Sequence, residues 1–101
     1  MEEKIKISML LQIYGKLLTQ KQYEFMDYYY NEDLSLSEIA ENQNITRQAV
    51  REILAKSKNK LEEYEEKVMI YSKINKINLI LDKLEETNKK EIQKIRKILN
   101  D

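Results

Sequence analysis

Apolar positions recur three and four residues apart along this chain, the period of one face of a helix. Ile7, Leu10, Leu11, Tyr14, Leu17 and Leu18 mark a first helix over about residues 4–17, with Gly15 placed to end or bend it. Thr19 and Gln22 have the spacing of a capping box, in which each side chain accepts from the other residue's backbone N–H. A second helix is therefore expected from Gln20 to about Tyr30, with Phe25, Met26 and Tyr29 facing inward. Asn31-Glu32-Asp33 is a polar stop.

Ser35 and Glu38 repeat the capping-box spacing and open a short helix over about Leu36 to Glu41. Asn42-Gln43-Asn44 breaks the pattern, and Asn44 is suited to a left-handed backbone. Ile45 is expected to plug the core, and Thr46 to cap a new helix. That helix places Val50, Ile53 and Leu54 on one side and Arg47, Gln48, Arg51 and Glu52 on the other. Nothing stops it at residue 56, because Leu61, Tyr64, Val68 and Tyr71 continue the period. Ile70, Ile74, Ile77, Leu81 and Leu84 then step four, three, four, three, which is a heptad seam. Thr87-Asn88 interrupts it, and Asn88 with Glu91 could cap a last helix carrying Ile92, Ile95, Ile98 and Leu99.

The fold class that follows is all-α, a helix-turn-helix bundle with a long C-terminal helical arm. Residues 1–60 form the helix-turn-helix domain, and residues 61–101 a helical extension expected to dimerise. The core is too small to absorb every apolar residue of the arm, which makes homodimerisation through residues 61–99 the natural use of the seam. The alternative is packing back on the protein's own core.

Composition narrows the chemistry. Of 101 residues, one is Gly and none is Pro, so long uninterrupted helices are allowed. Cys and His are absent, which removes disulfides, thiol nucleophiles, imidazole bases and the usual zinc ligands. There is no Gly-rich phosphate loop and no Ser paired with a base, so a binding protein is expected rather than an enzyme, with no cofactor and no metal. Lys6, Gln12 and Lys16 interrupt the apolar run from Ile5 to Leu18, which reads as an amphipathic helix and not a signal peptide. No stretch has the 18 apolar residues of a membrane span. A cytoplasmic location fits.

A helix-turn-helix needs a short scaffold helix crossing a longer one at a steep angle, with small or apolar residues at the crossing. Ile39, Ala40, Ile45, Val50 and Ile53 supply that crossing. The segments Leu18-Thr19-x-Lys21-Gln22, Leu34 to Glu41 and Ile45 to Arg51 resemble sigma-factor region four. With Leu61-Glu62-Glu63-Tyr64-Glu65-Glu66-Lys67 following, residues 5–85 resemble the YlxM family still more. The resemblance is strong at 34–67 and weak beyond Leu84.

That resemblance implies a bacterial regulatory protein that binds duplex DNA. The family's genes usually sit beside those of the signal recognition particle, so components of that pathway are implied as partners. Carried over, the pattern puts Arg47, Gln48, Arg51 and Glu52 toward the major groove, where Arg suits guanine and Gln suits adenine. Ser35 and Thr46 would help hold phosphates at helix N-termini, and Lys56, Lys58 and Lys60 would reach the flanking backbone. Ala49 stands where a basic or polar residue is common, and Glu52 where Gln is common; both lower the positive potential.

Charge argues the other way. Residues 1–56 hold seven Lys and Arg against nine Asp and Glu, and residues 57–101 eleven against nine. Duplex-binding domains normally carry a basic excess. The alternative is a protein-interaction module of the signal recognition particle pathway that binds no DNA. Tyr28-Tyr29-Tyr30 could stack bases but reads better as a core aromatic flanked by partly exposed ones. Glu62-Glu63-x-Glu65-Glu66 reads as a solvated or Lys-paired acidic face and not a metal site.

Overall fold

Residues 2–85 and 88–100 are described by a computed structural model, and among them helices alone are regular structure. α1 spans Glu2–Tyr14 and passes into a 3-10 turn, Gly15–Leu17. α2 spans Gln20–Tyr30, α3 Leu36–Gln43, α4 Arg47–Val68, α5 Ile70–Leu84 and α6 Lys89–Asn100. The chain divides into two compact units at Val68 and Met69.

In the first unit the helix starts are set by side chains. The Thr19 hydroxyl accepts from Gln22 N–H at 3.2 Å, and the Gln22 side chain accepts from Thr19 N–H at 3.1 Å. Ser35 and Glu38 reciprocate in the same way, both at 3.0 Å. Each box satisfies two donors that a helix end otherwise leaves orphaned. Gly15 is set by packing and not by a left-handed backbone. A Cβ there would stand 2.8 Å from the Tyr23 ring.

α1, α2 and α3 all pack on α4. Their shared core holds Ile7, Leu10, Leu11, Tyr14, Leu18, Phe25, Met26, Ile39, Ala40, Val50, Leu54 and Leu61. Tyr29, expected inside, is only half-buried. The Tyr14 hydroxyl donates to Glu65 at 2.8 Å, tying the start of the fold to the far part of α4. The division expected near residue 60 therefore falls inside α4, which keeps Leu61 in the core and runs on to Val68.

α4 was expected to continue through Tyr71. Instead Met69 takes a left-handed backbone, φ 60° and ψ 30°, and α5 begins after it. No Gly or Pro marks the break.

The second unit is α5 with α6. Leu81 and Ile92 are its buried residues, with Ile74, Asn78 and Leu99 half-buried. Arg96 fastens the two helices: it donates to Asn78 at 3.0 Å and to Asp82 at 2.5 Å, and lies 3.7 Å from Glu85. The expected heptad seam is largely open, since Ile70, Ile77 and Leu84 remain exposed beside Ile80. Asn88 opens α6 through its carbonyl, which accepts from Ile92 N–H at 3.0 Å. Thr87, the other residue expected at this break, lies outside the described residues. No described helix is long and apolar enough to cross a membrane.

Candidate nucleic-acid interface

The turn between α3 and α4 is built from Asn44, Ile45 and Thr46. Asn44 is left-handed, φ 56° and ψ 45°, which a β-branched residue would resist. The reversal lets Ile45 N–H donate to the Ala40 carbonyl at 3.0 Å and Asn44 N–H to Glu41 at 3.3 Å, so carbonyls at the end of α3 are not left bare. The Thr46 hydroxyl then accepts from Ala49 N–H at 3.0 Å and starts α4. Ile39, Ala40 and Val50 are buried at the crossing, while Ile45 and Ile53 are half-buried at its rim.

With Val50, Leu54, Ser57 and Leu61 turned inward, Gln48, Glu52 and Lys56 lie on the opposite arc of α4, and Arg47 and Arg51 on its flank; all five are exposed. At i, i+4 spacing they form two neighbouring strips, Arg47–Arg51 and Gln48–Glu52–Lys56. The first turn of α4 holds no acidic residue, so its N-terminal partial positive charge is uncompensated by a carboxylate of that turn. No salt bridge engages Arg47, Arg51 or Lys56 among the described residues. Arg51 borders a hollow of about 210 Å³ that it shares with Tyr29, Tyr30, Leu36 and Lys58.

Other expected contacts are placed differently. Ser35 lies at the start of α3, where its hydroxyl and its N–H are both used by the capping box. The Glu38 carboxylate stands at that helix start, its pKa held below the ordinary value by the Ser35 N–H. Phosphate would meet a negative charge there. Lys58 is turned toward α1 and paired with Glu3, with Glu62 at 4.0 Å. That pairing lowers the Glu3 pKa and raises that of Lys58. Lys60 points at the Gln22 side-chain oxygen, 3.5 Å away. Lys56 is thus the α4 lysine left on the exposed arc of this segment.

Tyr28, Tyr29 and Tyr30 are each half-buried, so none is the core aromatic expected. Tyr28 packs on Phe25 with centroids 6.2 Å apart, and Tyr29 meets Tyr30 edge-on at 5.0 Å. Burial raises the Tyr30 pKa. Sequence reasoning did not find the outward apolar residues of this segment. Ile5 and Met9 of α1 are 61% and 38% exposed, and Leu17 of the 3-10 turn, expected on the apolar face of the first helix, is 58% exposed, although Ile7, Leu10 and Leu11 are buried. The signal was present, because α1 is apolar around most of its circumference, a pattern that calls for cover on two sides. No group of acidic residues among those described is arranged to hold a metal ion.

Comparison with known proteins points to the same fold class. Residues 1–100 match the family described as "UPF0122: Putative helix-turn-helix protein, YlxM / p13 like". Over 84 residues the chain is 44% identical to the UPF0122 protein of Clostridium perfringens, covering 83% of this chain and 75% of that one. It is 43% identical to the UPF0122 protein of Malacoplasma penetrans, covering 90% and 94%. With the UPF0122 protein of Clostridium acetobutylicum the identity is 38%, covering 99% and 97%.

Proposed function

The chain belongs to the UPF0122, YlxM/p13-like family of helix-turn-helix proteins, and from that premise we propose that it is a regulatory protein that binds duplex DNA. The observation that carries the reading is the exposed Arg47 and Arg51 on the first turns of α4, engaged by no salt bridge among the described residues, directly after a turn locked by Asn44 and Thr46. Arg47 and Arg51 reach guanine O6 and N7 in the major groove, Gln48 takes adenine N6 and N7, and Glu52 accepts from cytosine N4. Thr46 and Lys56 lie where phosphate contacts would flank the groove. Ser35 serves by fixing α3 rather than by touching phosphate.

The protein acts in the cytoplasm as a homodimer joined through the C-terminal helices within residues 61–99. Ile70, Ile77, Ile80 and Leu84 support this, since they form one exposed stripe on α5 at 38% to 58% exposure. A dimer doubles an interface that is weak in one copy. Fluorescence anisotropy with labelled duplex over a salt series tests the reading. Binding is expected at low salt, and Arg47→Ala with Arg51→Ala should weaken binding to a preferred sequence by at least about thirtyfold, from two bidentate base contacts at the lower end of about 1 kcal/mol each. Duplex binding that the double substitution leaves untouched would remove groove readout.

A second reading has its own observation, the exposed apolar residues Ile5, Met9 and Leu17 in an acidic segment. It makes the protein an interaction module of the signal recognition particle pathway, as the gene neighbourhood of the family suggests. A pull-down with the targeting GTPases that survives nuclease treatment is the expected result for that reading, and loss of those partners on treatment counts against it.

A further inference from the structure

α6 carries its positive charge on one side. At 100° per residue, Lys89, Gln93, Lys97, Lys90 and Lys94 fill an arc of about 140°, and all four lysines are exposed. Beyond this arc Ile92 is buried, Ile95 and Ile98 are exposed, and Arg96, about 20° past Lys89, is held by Asn78, Asp82 and Glu85. Glu91 is the acidic residue of α6, and at about 200° it falls outside the lysine arc. Asp82 and Glu85 already face Arg96, so among the described residues of α6 no carboxylate lies within the lysine arc.

The helix-turn-helix segment has the opposite problem. Residues 1–56 carry more acid than base, and Lys58 is engaged by Glu3. Nonspecific DNA affinity comes from cations that displace counterions from phosphates. The segment that carries the groove-facing arginines is poorly supplied with them, and α6 is well supplied.

We propose that the α6 face formed by Lys89, Lys90, Lys94 and Lys97 is a sequence-independent contact for the phosphate backbone of duplex DNA. This rests on the DNA reading above and assigns the affinity to a different element from the base readout. Lys89 and Lys97 are about 12 Å apart along the helix axis. One DNA strand rises 3.4 Å per phosphate, so the face is long enough for roughly three phosphates of one strand. An anionic membrane surface would also attract four lysines. It would further need a continuous apolar arc on α6; Ile95 and Ile98 are exposed, but Ile92 is 3% exposed and Arg96 clamps the helix to α5, so the arc is interrupted.

The test compares the full chain with the variant Lys89→Gln, Lys90→Gln, Lys94→Gln, Lys97→Gln on a random-sequence duplex and on anionic vesicles. Glutamine keeps the helix propensity of lysine, and circular dichroism checks that the helices remain. The slope of log K against log salt should fall in magnitude by about 3, with affinity lost equally on every duplex. The Arg47→Ala, Arg51→Ala variant should keep most of the slope and lose sequence preference. An unchanged slope in the lysine variant overturns the α6 contact and leaves groove readout standing if the arginine variant loses preference. A reduced slope with no effect of the arginine substitutions supports α6 and removes groove readout. No binding of random duplex by the unmodified protein at low salt, or vesicle binding as the property the lysine variant loses, also overturns the proposal.

Discussion

Asn44 decides the geometry of the turn, and its left-handed backbone sets what can replace it. Asn44→Gly should leave stability within about 0.5 kcal/mol, because Gly adopts φ > 0 freely. Asn44→Val should cost about 1–2 kcal/mol in urea unfolding, because a β-branched residue resists that region. Ser57 makes a different case. It is fully buried in the core of the first unit, and its hydroxyl donates to its own helix at the Ile53 carbonyl, 2.6 Å away. Ser57→Ala should change stability by less than about 1 kcal/mol, since such back-bonding stabilises little, while Ser57→Leu should cost about 1–3 kcal/mol by overpacking. The Glu38 carboxylate, held low by Ser35, contributes stability above its ordinary pKa of 4.5 and loses it as pH falls through the lower folded value. Acid should therefore destabilise the protein, and Glu38→Gln should make stability less dependent on pH below 4.5, measured by thermal melting. The caps and Asn44 were legible because their chemistry is local. The diversion of Lys58 was not, because its partner Glu3 lies 55 residues away, and neither was Ser57, whose acceptor is the helix itself.

The elements were legible wherever caps agreed with the period. α2 begins at Gln20 and ends at Tyr30, as its box and polar stop require. α3 extends to Gln43, two residues beyond expectation, because the left-handed Asn44 and not Asn42 ends it. The break at Met69 was missed for want of Gly or Pro. A phase signal was nevertheless present. On one unbroken helix Leu81 would point about 160° away from Leu61, yet each is buried within its own unit. α4 ends and α5 begins between them, and Met69 holds the left-handed conformation at the break. Met69→Gly should relieve a left-handed penalty of about 1–2 kcal/mol against a smaller entropic loss, for a net gain of about 0.5–1 kcal/mol in urea unfolding. A loss of about 1 kcal/mol, the ordinary effect of Gly inside a helix, would show that α4 and α5 are continuous in solution.

At the scale of the whole molecule, a formal net charge of zero conceals an uneven distribution. Acid predominates in the segment with Arg47 and Arg51, and exposed lysine in α6. Read by halves of the chain, that balance argued against DNA; the proposal above assigns recognition and attraction to different elements. The apolar surface is divided in a similar way, with an outward stripe on α1 and another on α5. Ile77→Glu with Ile80→Glu should give a monomer in sedimentation at concentrations where the unmodified chain is a dimer, because two charges would have to be buried in the joint. The exposure of the α5 seam was not legible, since the period shows which residues share a face but not which face a neighbour covers. Base readout by α4 remains the central claim. Selection from a random duplex pool, with sequencing of the bound fraction, tests it most directly. The unmodified protein should enrich a short motif containing guanine and adenine positions, and the Arg47→Ala, Arg51→Ala variant should lose the guanine preference while melting at the same temperature. The same motif enriched to the same degree by both proteins, or no motif from the unmodified one, would contradict the account.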